Sequence, residues 1–290
     1  MMLSEAVEAF LLSCDGCKSS ATVKWYRRRL ADLCGFLGAC DLAAITVFDL
    51  RRFRAKLASR GLSVWTLHGY CRAVRRLFHW LWTEGVLPVH VGSRLELPKL
   101  PKRPRLGIPR DDAEKILMVA KNTSLRDHAM VLFLAVTACR VGGLVGLRIA
   151  DVDVARARAW VCEKGDKARV VYLEARSIAA LCAWLDVRPK VEHPFVFTSS
   201  RTGQPLTVSG VYQALRSLAR AAGVPHGWNP HNWRDGAARG MQAAGMPTGQ
   251  LSLILGHSDV RVTVEFYGTC NEDELAAAHA RYAWLAAGDS

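Results

Sequence analysis

The sequence predicts a mainly α fold with one small antiparallel β-sheet, divided between two domains. Three observations carry that prediction. Apolar residues recur at helical spacing through most of the 290-residue chain. A basic, proline-rich stretch from Leu97 to Arg110 interrupts them, and proline cannot continue a helix. Beyond it, Arg158 to Cys162 and Arg169 to Leu173 read as short strands about the turn Glu163-Lys164-Gly165-Asp166-Lys167.

A short first helix is expected around Glu5 to Leu12. Ser20 is placed to cap a second, in which Val23, Tyr26, Leu30, Leu33 and Leu37 share a face. Thr46 caps a third, with Leu50, Phe53 and Leu57 on its apolar side and Gly61 as its stop. Ser63 caps a fourth, where Leu67, Tyr70, Val74, Leu77 and Leu81 form the stripe and Gly85 ends it. Residues 1–95 therefore form a small helical bundle, 96–110 a basic proline-rich linker, and 111–290 a second domain. Helices in the second domain are expected over Ala113 to Val119 and Arg126 to Ala138, then near 175–186, 207–222, 232–244, 248–255 and 272–287.

Composition narrows the function classes. Half the residues are hydrophobic and 22% are charged, enough for buried cores and unlike a disordered or collagenous chain. The longest uncharged run, Gly240 to Ser258, holds Gln242, Pro247, Gln250 and Ser252, which is not the pattern of a membrane span. No N-terminal stretch reads as a secretion signal, and nine scattered cysteines suit a reducing compartment, so a cytoplasmic protein is expected.

The net charge is +13 and unevenly spread. The first 100 residues carry 15 basic and 8 acidic residues, residues 101–110 carry four basic and no acidic ones, and the remainder is nearly balanced. That distribution is the electrostatic footprint of a nucleic-acid partner. Lys24, Arg27, Arg28 and Arg29 lie on the outer face of the second helix, and Arg72, Arg75 and Arg76 on the fourth. An ordinary solvated face would mix charges, yet acidic residues are lacking between Ser63 and Leu81, which favours phosphate contact. Lys102, Arg103 and Arg105 in the linker are expected to lie along a DNA backbone.

Five separated fragments carry chemistry. Thr137-Ala138-Cys139-Arg140-Val141-Gly142-Gly143-Leu144 follows an apolar helix, Lys164 sits in the strand turn, and His231-Asn232-Trp233-Arg234 opens another helix. Leu255-Gly256-His257-Ser258 closes a further helix, and Tyr267 stands ten residues after His257. In this order and spacing, Ile108 to the end of the chain resembles the tyrosine recombinases, the phage integrase family. The resemblance implies a two-domain clamp around double-stranded DNA, a homotetramer on two synapsed recombination sites and a nucleoid-associated location. It implies no cofactor, no metal and no membrane partner.

By that resemblance, Arg140 and Arg234 offer planar forks of N–H donors to the non-bridging oxygens of a phosphodiester, and His231 and His257 add hydrogen bonds. Tyr267 is the implied nucleophile, His231 the base that receives its proton, and Lys164 the acid for the leaving 5′ oxygen. The covalent link conserves bond energy, so rejoining needs no ATP.

Rival readings stand beside these. Arg140 can be a helix-end cation, Gly256-His257 a helix stop, and Lys167 or Arg169 can replace Lys164. Phe266 competes with Tyr267 for register but has no hydroxyl. Two positions depart from the family pattern: Gly143 stands where an acidic residue usually follows the first arginine, and Asp235 where a histidine often follows the second. Asp151 and Asp153 invite a two-metal nuclease reading but are better explained as structural carboxylates, and Cys14-Asp15-Gly16-Cys17 has no second pair to complete a zinc site. Trp80 and Trp82 read as core. Relaxation of DNA in the manner of a type IB topoisomerase, and non-catalytic DNA binding by a regulator, are the alternative functions.

Overall fold

The computed structural model describes residues 1–101, 107–163, 167–225, 228–257 and 259–267, with Lys167 and the last three by backbone only. The chain divides into two compact units, Met1–Arg103 and Pro104–Ser290.

The first unit holds α1 (Leu3–Cys14), α2 (Ser20–Leu37), α3 (Val47–Ser59) and α4 (Val64–Thr83), with single 3-10 turns at Leu42–Ala44 and Val91–Arg94. Thr46 and Ser63 cap α3 and α4 as expected, and Thr46 forms a reciprocal box with Asp49. The cap of α2 is Ser19 rather than Ser20. Ser19 has the extended backbone a cap needs, and its hydroxyl accepts from the Thr22 amide. Leu30, Leu33, Leu50, Val74, Leu77, Phe78 and Leu81 are fully buried between the helices. Trp80 packs against that core, but Trp82 does not: it lies exposed beside His79 and His90, a correction to the sequence reading.

The segment 96–110 is not uniform. Arg54 donates to the Glu96 carbonyl at 2.9 Å, and His68 hydrogen-bonds the Pro98 carbonyl at 2.9 Å, so its start is tied to the first unit. Its end belongs to the second unit, where Ile108 is buried.

The second unit contains α5 (Arg110–Thr123), α6 (Leu125–Thr137), α7 (Val141–Val145), β1 (Val152–Asp153), β2 (Arg158–Glu163) and β3 (Lys167–Tyr172). These are followed by α8 (Ala175–Val187), α9 (Val208–Ala221), α10 (Pro230–Ala243), α11 (Thr248–Leu255) and α12 (Val260–Tyr267). The sheet is antiparallel in the order β1-β2-β3, with Val161 opposite Arg169 and Glu163 opposite Lys167. Both Glu163 and Lys167 were expected in the turn, and both belong to the ladder. Helices α7 and α12 and strand β1 are additions to the elements read from sequence; the expected helix at 272–287 lies outside the described residues. Asp151 and Asp153 are structural, capping the turn at Arg148 and pairing with Arg156 and Arg158.

Helix α6 is the centre of this unit. His128 through Leu134 are buried without a polar face, because α5, α8 and α10 all pack on it. Among the described residues, no helix is long and apolar enough to cross a membrane.

Gly107 fastens the start of the unit to α10. The Ile108 amide donates to the Asn232 carbonyl at 2.9 Å, and a Cβ on Gly107 would fall 2.2 Å from the Gly236 nitrogen. Only hydrogen fits there. Gly107→Ala is expected to lower stability by about 1–3 kcal/mol, read as an earlier urea midpoint of the intact chain.

Candidate active site

Arg234 is the deepest charged group of the site. It lies on the second turn of α10 and is buried, its Nη1 donating to the Ala138 carbonyl at 2.6 Å and its Nη2 to the Leu255 carbonyl at 2.5 Å. Those carbonyls belong to the ends of α6 and α11. Each helix closes on a left-handed residue, Ala138 at φ 51° and Gly256 at φ 62°. Helix C-termini carry partial negative charge, so two of them answer one buried cation.

Arg140 follows three residues after the end of α6 and stands at the N-cap of α7. Its amide donates to Glu163 Oε1 at 2.7 Å, and its guanidinium pairs with Glu163 Oε2. The rival reading of Arg140 as a cation at a helix C-terminus does not hold, since it sits at the start of a helix instead. The Arg140 side chain is 34% exposed, so it bridges the buried carboxylate and solvent.

His231 lies in the first turn of α10, where the Asn229 side chain caps its amide at 2.9 Å. Cys139, Arg140, Val141, Gly142, Glu163, Pro230, His231 and Arg234 line one cavity of about 280 Å³. Two of the sequence-predicted arginines and one histidine therefore converge from α7 and α10. His257 follows the Gly256 stop, and its Nδ1 shares a 2.7 Å hydrogen bond with the buried Thr263 hydroxyl on α12. Position 267 ends α12, one helical turn beyond Thr263. Lys164 lies outside the described residues, as do Lys102, Arg103 and Arg105.

Arg169 was the rival to Lys164. It is 14% exposed and occupied with Glu163 at 3.2 Å and with the Ile254 carbonyl. Cys139 borders the cavity, but burial pushes its thiol up to about 11, which keeps it protonated and unreactive near neutrality.

Glu163 was missed by sequence reasoning. The available signal was strand alternation: Ala159 and Val161 face the core, so residue 163 falls on the same side. Burial pushes the carboxyl up, yet the Arg140 amide and the Arg169 and Arg140 guanidiniums outweigh it and hold it below the usual range.

In the first unit, Lys24, Arg28, Arg72 and Arg76 are exposed, and Arg75 is half-buried. Arg27 pairs with Glu8 at 3.2 Å. Arg29 leaves the solvated face assigned to it: its guanidinium lies 4.1 Å from the Trp25 ring centre and 5.4 Å from that of Tyr70.

Residues 108–274 match the phage integrase family, and residues 9–85 match the phage integrase N-terminal SAM-like domain. A tyrosine recombinase XerC from Yersinia pestis is 30% identical over 293 residues, covering 96% of this chain and 96% of the relative. A tyrosine recombinase XerD from Listeria monocytogenes is 28% identical over 280 residues, covering 90% and 93%. The crystal structure of XerA recombinase matches with a TM-score of 0.55 at 26% identity, covering 97% of this chain and 98% of that one. The Tn1549 transposon integrase, solved with a circular intermediate DNA, has a TM-score of 0.81 at 18% identity, covering 97% and 99%, a likeness of fold. The chain belongs to the phage integrase family and is a tyrosine-type site-specific recombinase.

The depressed titration of Glu163 has a consequence in acid. A carboxyl held below its unfolded value of about 4.3 contributes stability above that pH and loses it as pH falls through the folded value. The stability advantage of the native chain over Glu163→Gln is therefore expected to shrink as pH drops below about 4, measured by urea denaturation across pH.

Proposed function

We propose that this protein cuts and rejoins double-stranded DNA at specific sites through a covalent 3′-phosphotyrosyl intermediate on Tyr267. The observation that carries the reading is the convergence of Arg140, His231 and Arg234 on one cavity. Membership of the phage integrase family supports it, and so does the DNA bound to the Tn1549 integrase.

The arrangement suits a phosphodiester. Attack on phosphorus builds negative charge on the non-bridging oxygens, and donors fixed before the reaction need no reorganisation to meet it. Arg234 is held by two carbonyls, and Arg140 is gripped by Glu163. The Tyr267 oxygen forms a bond to phosphorus while the bond to the 5′ oxygen breaks. His231 accepts the phenol proton, and Lys164 gives a proton to the departing 5′ oxygen. His257, its ring oriented by Thr263, adds a hydrogen bond to the same phosphate. Reversal with another strand's 5′ hydroxyl completes recombination, and exchange between two duplexes calls for four such sites, a homotetramer.

DNA is gripped by the basic faces of the first unit and by Lys102, Arg103 and Arg105. Replacing Arg72, Arg75 and Arg76 with Ala should lower the slope of log affinity against log salt by roughly 2 to 3, as expected for three lost phosphate contacts. An unchanged slope would remove those residues from the interface.

The nucleophile is tested with labelled suicide DNA on a denaturing gel. Tyr267→Phe should bind DNA as the native protein does and form no adduct, while the native adduct should map to Tyr267 and persist in excess EDTA. An adduct in Tyr267→Phe would mean another nucleophile. Dependence on magnesium would favour a nuclease, and cleavage without regard to sequence would favour a relaxing enzyme.

A further inference from the structure

We propose that Glu163 is a positioning residue for this site, its buried carboxylate reaching from β2 to supply the negative charge that position 143 lacks. The inference rests on the reading above and assigns a positioning role to a residue that takes no proton-transfer or bond-making step in it.

The first observation is a grip on Arg140 at two points. Glu163 is 8% exposed; Oε1 accepts the Arg140 amide at 2.7 Å, and Oε2 meets its guanidinium. Main chain and side chain of the same arginine are fixed by one carboxylate. A guanidinium has five N–H donors, so anchoring at Nη1 orients the plane that borders the cavity.

The second observation is the space at Gly143. Its backbone is helical, so no left-handed conformation calls for glycine there. A Cβ at this position would stand 3.2 Å from Val161 Cβ and 3.3 Å from Glu163 Cγ. The side chain of Glu163 fills the volume into which a residue at 143 would grow. The family resemblance implies an acid three positions after the first arginine, where Gly143 stands; here the carboxylate beside Arg140 comes from the neighbouring strand.

The third observation extends the reach of the same group. Glu163 Oε1 also accepts from Arg169 Nη2 at 3.2 Å, and Arg169 Nη1 donates to the Ile254 carbonyl at the end of α11. Gly256 makes way for this arginine, since a Cβ there would lie 2.8 Å from Arg169 Cδ. One carboxylate thus aligns Arg140 directly and, through Arg169, the turn that leads into His257. Both of its oxygens are occupied by donors, so it acts as an anchor and not as a base.

The experiment compares the native protein, Glu163→Gln, and the exchange variant Gly143→Glu with Glu163→Gly, all in the full chain. Single-turnover cleavage of suicide DNA and the Arg140 Nε–Hε NMR signal are both read, with melting temperature alongside. Glu163→Gln should cleave on the order of tenfold or more slowly at saturating DNA, and its Arg140 signal should lose the dispersion of a restrained guanidinium. The exchange variant should recover both. A merely structural Glu163 would lower the melting temperature and leave the cleavage rate of bound complex and the Arg140 signal unchanged, which would overturn the proposal. If Glu163→Gln does not fold, the exchange variant alone decides: native-like cleavage and Arg140 signal support the relocation, and loss of both refutes it. If the native protein itself forms no adduct, the phosphotyrosyl reading fails, while the Arg140 signal still reports on Glu163.

Discussion

Everything around the candidate site depends on how the donors of one buried cation are satisfied. Arg234 lies in the interior with helix-end carbonyls at 2.6 and 2.5 Å. Leaving a buried donor unsatisfied costs about 1–3 kcal/mol, and more for a charged one, so the ends of α6 and α11 are held where Arg234 needs them. Those two ends lead directly into Arg140 and His257. The requirement that one guanidinium be satisfied therefore sets the separation of two other side chains of the candidate site. Glu163 closes the circuit, linking Arg140 to Arg169 and so to the Ile254 carbonyl beside Leu255.

A closed circuit of charge-assisted bonds differs in kind from a set of separate ion pairs. Each partner is already restrained by another, so less conformational entropy is lost at each bond, and burial strengthens the attraction. The result is a rigid, electropositive wall beside the cavity, the arrangement that stabilises developing negative charge with little reorganisation. The same burial disarms Cys139. Its thiol is at the edge of the cavity, yet desolvation keeps it protonated.

The first unit handles its cations in another way. Most of its basic residues stay on the surface, where their charge is available to a polyanion. Arg27 and Glu8 are both more than half exposed, and such a pair contributes little, so Glu8 holds Arg27 only weakly. Arg29 is different: stacked against Trp25 and near Tyr70, it joins α2 to α4 and serves packing before it serves binding. Two neighbouring arginines of one helix thus have unlike physical roles.

Much of this was legible in the sequence because it is local. Caps at Thr46 and Ser63, the apolar stripes of α3 and α4, the proline-rich segment and the hairpin all follow from spacing within a few residues. Charge distribution depends only on composition, and the order of Arg, Lys, His-x-x-Arg, Gly-His and Tyr was enough to indicate the family. The one-residue shift of the α2 cap from Ser20 to Ser19 turned on which of two serines kept an extended backbone.

What only the tertiary structure decided is who meets whom. Alternation in β2 put residue 163 on the inner face, but nothing local said that a carboxylate there would find Arg140, 23 residues away, and a second arginine tied to α11. Nor did Gly143 announce that its missing side chain made room for that carboxylate. Arg29 and Trp82 went astray for the same reason, one drawn in by aromatic rings and the other left outside. Spacing along the chain determines which face a residue occupies; the partner that neutralises a charge or fills a gap comes from another element, and only packing brings the two together.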